Sequence, residues 1–197
     1  MKIQFIPTVV LGASMALIPA AMFAQTQPLM AQDQAAASAG AKGSSHFSMM
    51  DKKFLTEAAQ GGMAEVKLGQ LAADKGATDA VKDFGKKMVT DHTALNNAMM
   101  PFVEKAGITP PSGLSAKDQA LYDRLNGLSG AAFDSAYASA MVKDHTKDKA
   151  DFDKEAASTK NAELRDAVKQ GDQTITEHLK MARQMSSTHG KSDTPGV

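Results

Sequence analysis

Cysteine is absent from the 197 residues, which removes disulfides, thiolate metal ligands, cysteine nucleophiles and a lipidated N-terminal cysteine together. Tryptophan is also absent and aromatics supply only 5% of the chain, a poor composition for sheets, which favour aromatic and β-branched side chains. Net charge is missing as well. Lysine plus arginine equals aspartate plus glutamate at 22 each, so no overall field pulls the chain onto nucleic acid or an anionic membrane. After the first two dozen residues no apolar run approaches the roughly 20 residues that a bilayer span requires. No glycine-rich loop follows a strand, and no serine stands with histidine and aspartate in a hydrolase frame.

What is abundant is alanine and methionine, the latter at 13 residues, which suits helices packed closely through small and adaptable side chains. Residues 1–24 read as a secretory signal peptide: Lys2 begins it, Ile3 to Leu17 is mostly apolar, and Pro19 precedes a small-residue exit. Cleavage is expected after Ala24, with Ala20 as the other fitting position. Export to the periplasm follows, with no integral membrane span in the mature chain. Residues 25–48 are rich in Ala, Gln, Gly and Ser and read as a flexible linker with almost nothing to bury. Residues 49–186 carry the fold, and 187–197 read as a disordered tail that gives His189 no claim to a site.

Four helical stripes occupy the middle region. The first helix is expected from about Asp51 to Lys75, capped by Ser48 or Asp51 and stopped by Gly76. Leu55, Ala58, Gly62, Glu65, Gly69 and Ala72 recur on it at spacings of three and four. Glycine costs helix propensity, so its presence there predicts close approach of a neighbouring helix. A second helix starts at Thr78 and runs to about Ala106 with Val81, Gly85, Met88, His92, Leu95, Met99 and Phe102 on one face, and Pro101 near its end. Residues 107–129 are too long for a tight connection and contain a short helix opened by Ser115-Ala116-Lys117-Asp118. A third long helix, about 131–157, aligns Phe133, Tyr137, Met141, His145, Asp148 and Phe152. The fourth, from Asn161, aligns Leu164, Val168, Gly171, Ile175, His178, Ala182 and Met185. The expected fold is all-α: a four-helix bundle of two hairpins joined by a long crossover with a short helix.

One short pattern recurs on these helices. Met88-Val89-Thr90-Asp91-His92-Thr93 returns as Met141-Val142-Lys143-Asp144-His145-Thr146, and more loosely as Thr174-Ile175-Thr176-Glu177-His178-Leu179. Each histidine falls on the apolar stripe of its helix, and Glu65 falls on the fourth stripe. At 1.5 Å rise per residue the four lie within a band of about two helical turns. Residues adjacent in a helix point about 100° apart, so Asp91, Asp144 and Glu177 cannot face the same centre; they are expected to pair with lysines or to orient an imidazole.

These motifs, with Phe54-Leu55-Thr56-Glu57-Ala58-Ala59, Ala64-Glu65, Gly130-Ala131-Ala132-Phe133-Asp134 and Tyr137, resemble a bacterial family of unknown function, domain-of-unknown-function family 4142, of the ferritin-like superfamily. The resemblance implies an exported bundle with a long crossover, and no agreed activity. Ferritin-like dimetal proteins carry Glu-x-x-His pairs, but here the positions three before the histidines are Val89, Val142 and Ile175. Oxygen chemistry is therefore not inherited with the name.

Two readings of the polar core follow. In one, Glu65, His92, His145 and His178, with Asp148, ligate a single transition metal ion, zinc, copper or iron, and Met88, Met99, Met141 and Met181 stand by as soft ligands for cuprous copper. In the other, hydrogen bonds alone satisfy these groups and methionine fills gaps. Two functions stay open beside these readings: a non-catalytic binding or stress-associated protein whose polar core can hold one metal ion and, as the alternative, a metal-dependent redox enzyme of ferritin-like ancestry. His46, in the linker, is expected to be solvated.

Overall fold

The computed structural model describes residues 46–189. The expected signal peptide, most of the linker and the tail beyond residue 189 lie outside the described residues. Five helices make up the described chain: α1 (Met49–Lys75), α2 (Asp79–Lys105), α3 (Ala116–Asn126), α4 (Gly130–Ser158) and α5 (Ala162–His189). Among the described residues there is no strand, and no helix is long and apolar enough to cross a membrane.

Helix starts follow local side-chain chemistry. The Ser48 hydroxyl accepts the Asp51 amide at 3.1 Å while the Asp51 carboxylate accepts the Ser48 amide at 2.8 Å, a reciprocal cap that satisfies two otherwise orphaned donors. Thr78, Ser115 and Asn161 cap α2, α3 and α5 through single side-chain acceptors. The linker boundary needs correction at one residue. Phe47 is buried at 6% exposure and packs among Phe54, Met99, Val103 and Leu164, so apolar burial starts before the first helix. At the far end α5 continues to His189, three residues past the expected boundary at Ser186.

The hairpins α1–α2 and α4–α5 face each other with their turns at opposite ends. Asp134, at the start of α4, accepts hydrogen bonds from the Ala77 amide (2.8 Å), the Thr78 amide (2.9 Å) and the Thr78 hydroxyl (2.8 Å). That pins the beginning of α4 to the α1–α2 turn, so α4 runs parallel to α2 and antiparallel to α1. The connection through α3 therefore travels the length of the bundle. Along that path Gln60 Nε2 donates to the Gly113 carbonyl at 3.0 Å, and Lys75 Nζ donates to the Asn126 carbonyl.

Close approach within the first hairpin depends on two glycines. A Cβ at Gly85 would stand 2.6 Å from both the Ala73 nitrogen and the Gly69 oxygen, and one at Gly69 would stand 2.9 Å from the Gly85 oxygen. Backbone thus meets backbone there, which is the return on the lost helix propensity.

The core is divided. One apolar cluster, with Leu68, Val81, Phe84, Phe133, Tyr137 and Ala182, fills the end nearer the α1–α2 turn. A second, with Phe47, Leu55, Val103, Phe152, Leu164 and Val168, fills the other end. Glu65, His92, His145 and His178 are buried mid-helix between these two clusters.

Candidate functional site

Each bundle helix contributes one polar side chain to this middle layer: Glu65 from α1, His92 from α2, His145 from α4 and His178 from α5. None is more than 4% exposed. One nitrogen from each imidazole lies within 4.8 Å of the other two. The convergence expected from the stripes is present.

Hydrogen bonds fix the ring tautomers. His145 Nδ1 is 3.0 Å from the Met141 carbonyl, which can only accept, so Nδ1 carries the hydrogen and Nε2 presents a lone pair. His178 Nε2 is 2.8 Å from Asp91 Oδ2, and Asp91 in turn pairs with Lys87 at 2.7 Å. Burial pushes the Asp91 carboxyl up, but the hydrogen bonds from Lys87 and His178 outweigh it and hold the group below the usual carboxylate range. An ionised Asp91 only accepts, so His178 Nε2 donates to it and His178 Nδ1 accepts from His92 Nε2 across 3.1 Å. The remaining nitrogen, His92 Nδ1, is left with a lone pair.

That lone pair faces Glu65. His92 Nδ1 approaches Glu65 Oε2 at 2.9 Å and His145 Nε2 approaches Glu65 Oε1 at 3.5 Å. Neither contact has hydrogen-bond geometry: His92 Nδ1, His145 Nε2 and Glu65 Oε1 are buried polar atoms without a hydrogen-bond partner. Burial holds all three imidazoles down to about 4, neighbouring carboxylates only partly restoring them, so the rings are neutral at pH 7. Three lone-pair atoms from three helices therefore confront one another in a desolvated layer. Such an arrangement could hold a cation, and the residue types are those that ligate zinc, iron or copper. Two ligands about 2.1 Å from one ion are roughly 3.0–3.4 Å apart, close to the separations found here.

Asp148, half-buried on α4, joins through Glu65. Burial and the neighbouring Glu65 raise the Asp148 carboxyl, and burial raises Glu65 while His145 pulls it back. The two share a hydrogen bond, which one retained proton accounts for. With Asp144, whose carboxyl is also raised by burial, they bring carboxylate oxygens within 4.8 Å of one another.

Of the flanking acids, Asp91 takes the orienting role, acting on His178 of the neighbouring α5, and its lysine is one turn away on its own helix. Glu177 is exposed and takes no part in the cluster. Packing of α2 against α5 makes Asp91, not the adjacent Glu177, the carboxylate that meets His178. Met88, Met99 and Met141 are buried within the apolar clusters, with Met181 packed against one of them, and His46 is exposed. The Tyr137 hydroxyl, buried and without a hydrogen-bond partner, is a further polar group on a stripe that otherwise reads as packing. Its ionisation is driven upward by burial and by the Glu65 charge.

The sequence profile of a family described as "Domain of unknown function (DUF4142)" matches residues 30–185. The chain belongs to that family. Among solved structures it is similar to a crystal structure of a DUF305 fragment from Deinococcus radiodurans, with 12% identity and a TM-score of 0.58 over 73% of this chain and 97% of that chain. At that identity the likeness shows a shared all-α fold and nothing about chemistry. No curated protein matches this member of the DUF4142 family.

Proposed function

We propose that this DUF4142 protein is an exported, non-catalytic binding protein, of a kind suited to stress conditions, that holds one transition metal ion in the middle layer of its bundle. Glu65, His92 and His145 act as direct ligands, and His178, tied to Asp91, holds the His92 ring in the ligating tautomer. The observation that carries this reading is the set of buried atoms left without partners: His92 Nδ1, His145 Nε2 and Glu65 Oε1. A desolvated acceptor with no donor costs about 1–3 kcal/mol, and three facing one another cost more. One metal ion satisfies all three.

The donor set suits zinc, iron or cupric copper better than a hard cation such as calcium, which takes six to eight oxygens. Export rests on the apolar and small-residue pattern of residues 1–24. A redox enzyme with bridging carboxylates finds less support, because Val89, Val142 and Ile175 occupy the Glu-x-x-His positions.

Elemental analysis of untagged protein isolated from the periplasm tests both parts. The expected result is one metal per chain in the wild type, none in His92→Ala or His145→Ala, and an unchanged content in His189→Ala. Sub-stoichiometric metal in every preparation would remove the reading and leave a metal-free polar core.

A further inference from the structure

A cleft between α1 and α4 leads from the surface to the polar layer. Its rim includes Glu57, Lys147 and Asp151, its wall includes Ala58, Gly61 and Asn96, and its floor is Glu65 and His92. The space a water-sized molecule can occupy within this open cleft is small, about 40 Å³. The rim charges are internally paired, Lys147 with Asp151 at 2.6 Å and Glu57 with Lys53 at 3.3 Å, so the entrance carries no strong field of either sign. Gly62 contributes by what it lacks: a Cβ there would stand 1.9 Å from Asn96 Oδ1, so the bare backbone lets the Asn96 amide lie in this space.

His145 and His178 do not line this cleft; Glu65 and His92 do. An ion held by Glu65, His92 and His145 would have three protein ligands, one fewer than a closed tetrahedral site, and the cleft, lined also by Asn96 and Asp148, reaches it on the side of Glu65 and His92. Metal sites with three protein ligands commonly keep the remaining position for water or an exogenous ligand.

We propose that the bound metal keeps one coordination position open toward this cleft, and that a ligand of two or three heavy atoms takes it. The small size of this space favours a ligand of that size, and the pairing of the rim charges admits neutral molecules as readily as small anions. Asp148, which lines the same cleft, would stand beside such a ligand. This inference rests on the metal-binding reading above.

Cobalt(II)-loaded full-length mature protein provides the test, with azide as a three-atom probe and imidazole as a ring too large for the space. Cobalt content is measured first. With one cobalt per chain, azide should shift the visible d–d absorption saturably while imidazole at equal concentration leaves it unchanged. Ala58→Leu, which adds bulk to the cleft wall, should retain cobalt and weaken azide binding at least about tenfold; circular dichroism identifies a variant that has failed to fold, in which case the azide and imidazole comparison on the wild type decides alone. Stoichiometric cobalt whose spectrum ignores azide would overturn the open position and leave metal binding standing. Equal responses to azide and imidazole would overturn the size limit, and azide binding to folded Ala58→Leu at wild-type strength would overturn the cleft as the route. Failure to load cobalt would remove the metal reading and this inference together.

Discussion

Glu65 is placed where its carboxylate meets two imidazoles that have no hydrogen to offer it. The tautomer of each ring is set by a distant acceptor, Met141 for His145 and Asp91 for His92 by way of His178. Orienting partners of this kind are typically worth about 10–100-fold in metal affinity. Asp91→Asn and His178→Ala are each expected to weaken metal binding within that range in a chelator competition, whereas His92→Ala abolishes it. Equal losses in all three would mean that His178 is itself a ligand. All four buried residues were legible in the sequence, because a polar side chain on an apolar helical face must be satisfied in the interior. The Asp91–His178 contact was not, because it depends on which helix packs beside α5.

A second pair of acids titrates away from this layer. Glu155 on α4 is buried beside Asp51 of α1, and burial, with hydrogen bonding to Asp51 and its negative charge, pushes the Glu155 carboxyl up to about 7 against only a small pull from Lys154. Asp51 itself is pushed up by burial and brought back below the usual range by hydrogen bonds from Ser48, Glu155 and Thr159. Below the ordinary value of 4.5, Glu155 is protonated in folded and unfolded chains alike. As the pH rises from there to about 7 the unfolded chain releases a proton that the folded chain keeps, so this group's contribution to stability falls across that window and stays low above it. In Glu155→Gln that part of the decline should be gone, raising stability relative to the wild type at pH 8. Denaturant titrations of both proteins at pH 5 and pH 8 check this; a difference independent of pH would contradict it.

At the scale of the helices, two contacts fix the hairpin geometry that brings the polar side chains level. Gly85→Ala places a methyl group 2.6 Å from backbone atoms of α1, where the flexible end of a side chain is not available to yield. The helices must separate, at a cost of about 1–3 kcal/mol, and urea unfolding should show a lowered midpoint. Asp134→Ala leaves the Ala77 and Thr78 amides without their acceptor in a part-buried turn. About 2–3 kcal/mol should be lost, combining a missing cap with unsatisfied donors. The glycine contact was legible in sequence because glycine inside a long helix requires a reason. The role of Asp134 was not, because its partners lie 56 and 57 residues earlier in the chain and nothing local marks an acid as a cap for a remote turn. Phe47 was missed for a different reason: one aromatic in a run of Ala, Gly and Ser carries no periodicity, and only the packed end of the bundle shows where it goes.

For the molecule as a whole, division of the core into two apolar ends and a polar middle is the feature that calls for a functional account. A continuous apolar core would have satisfied the same four helices without burying any imidazole, since replacing buried polar groups with well-packed apolar ones is often neutral or stabilising. Crossing of the chain through α3 was legible from the length of residues 107–129, and the level of the polar residues survives the turns being at opposite ends because each lies near the middle of its helix. Anomalous diffraction from crystals of protein purified with its native metal tests the central claim most directly. The account predicts a single peak about 2.1 Å from His92 Nδ1 and His145 Nε2 and in contact with Glu65; ordered density for these side chains with no peak among them, or a peak only at surface residues, would contradict it.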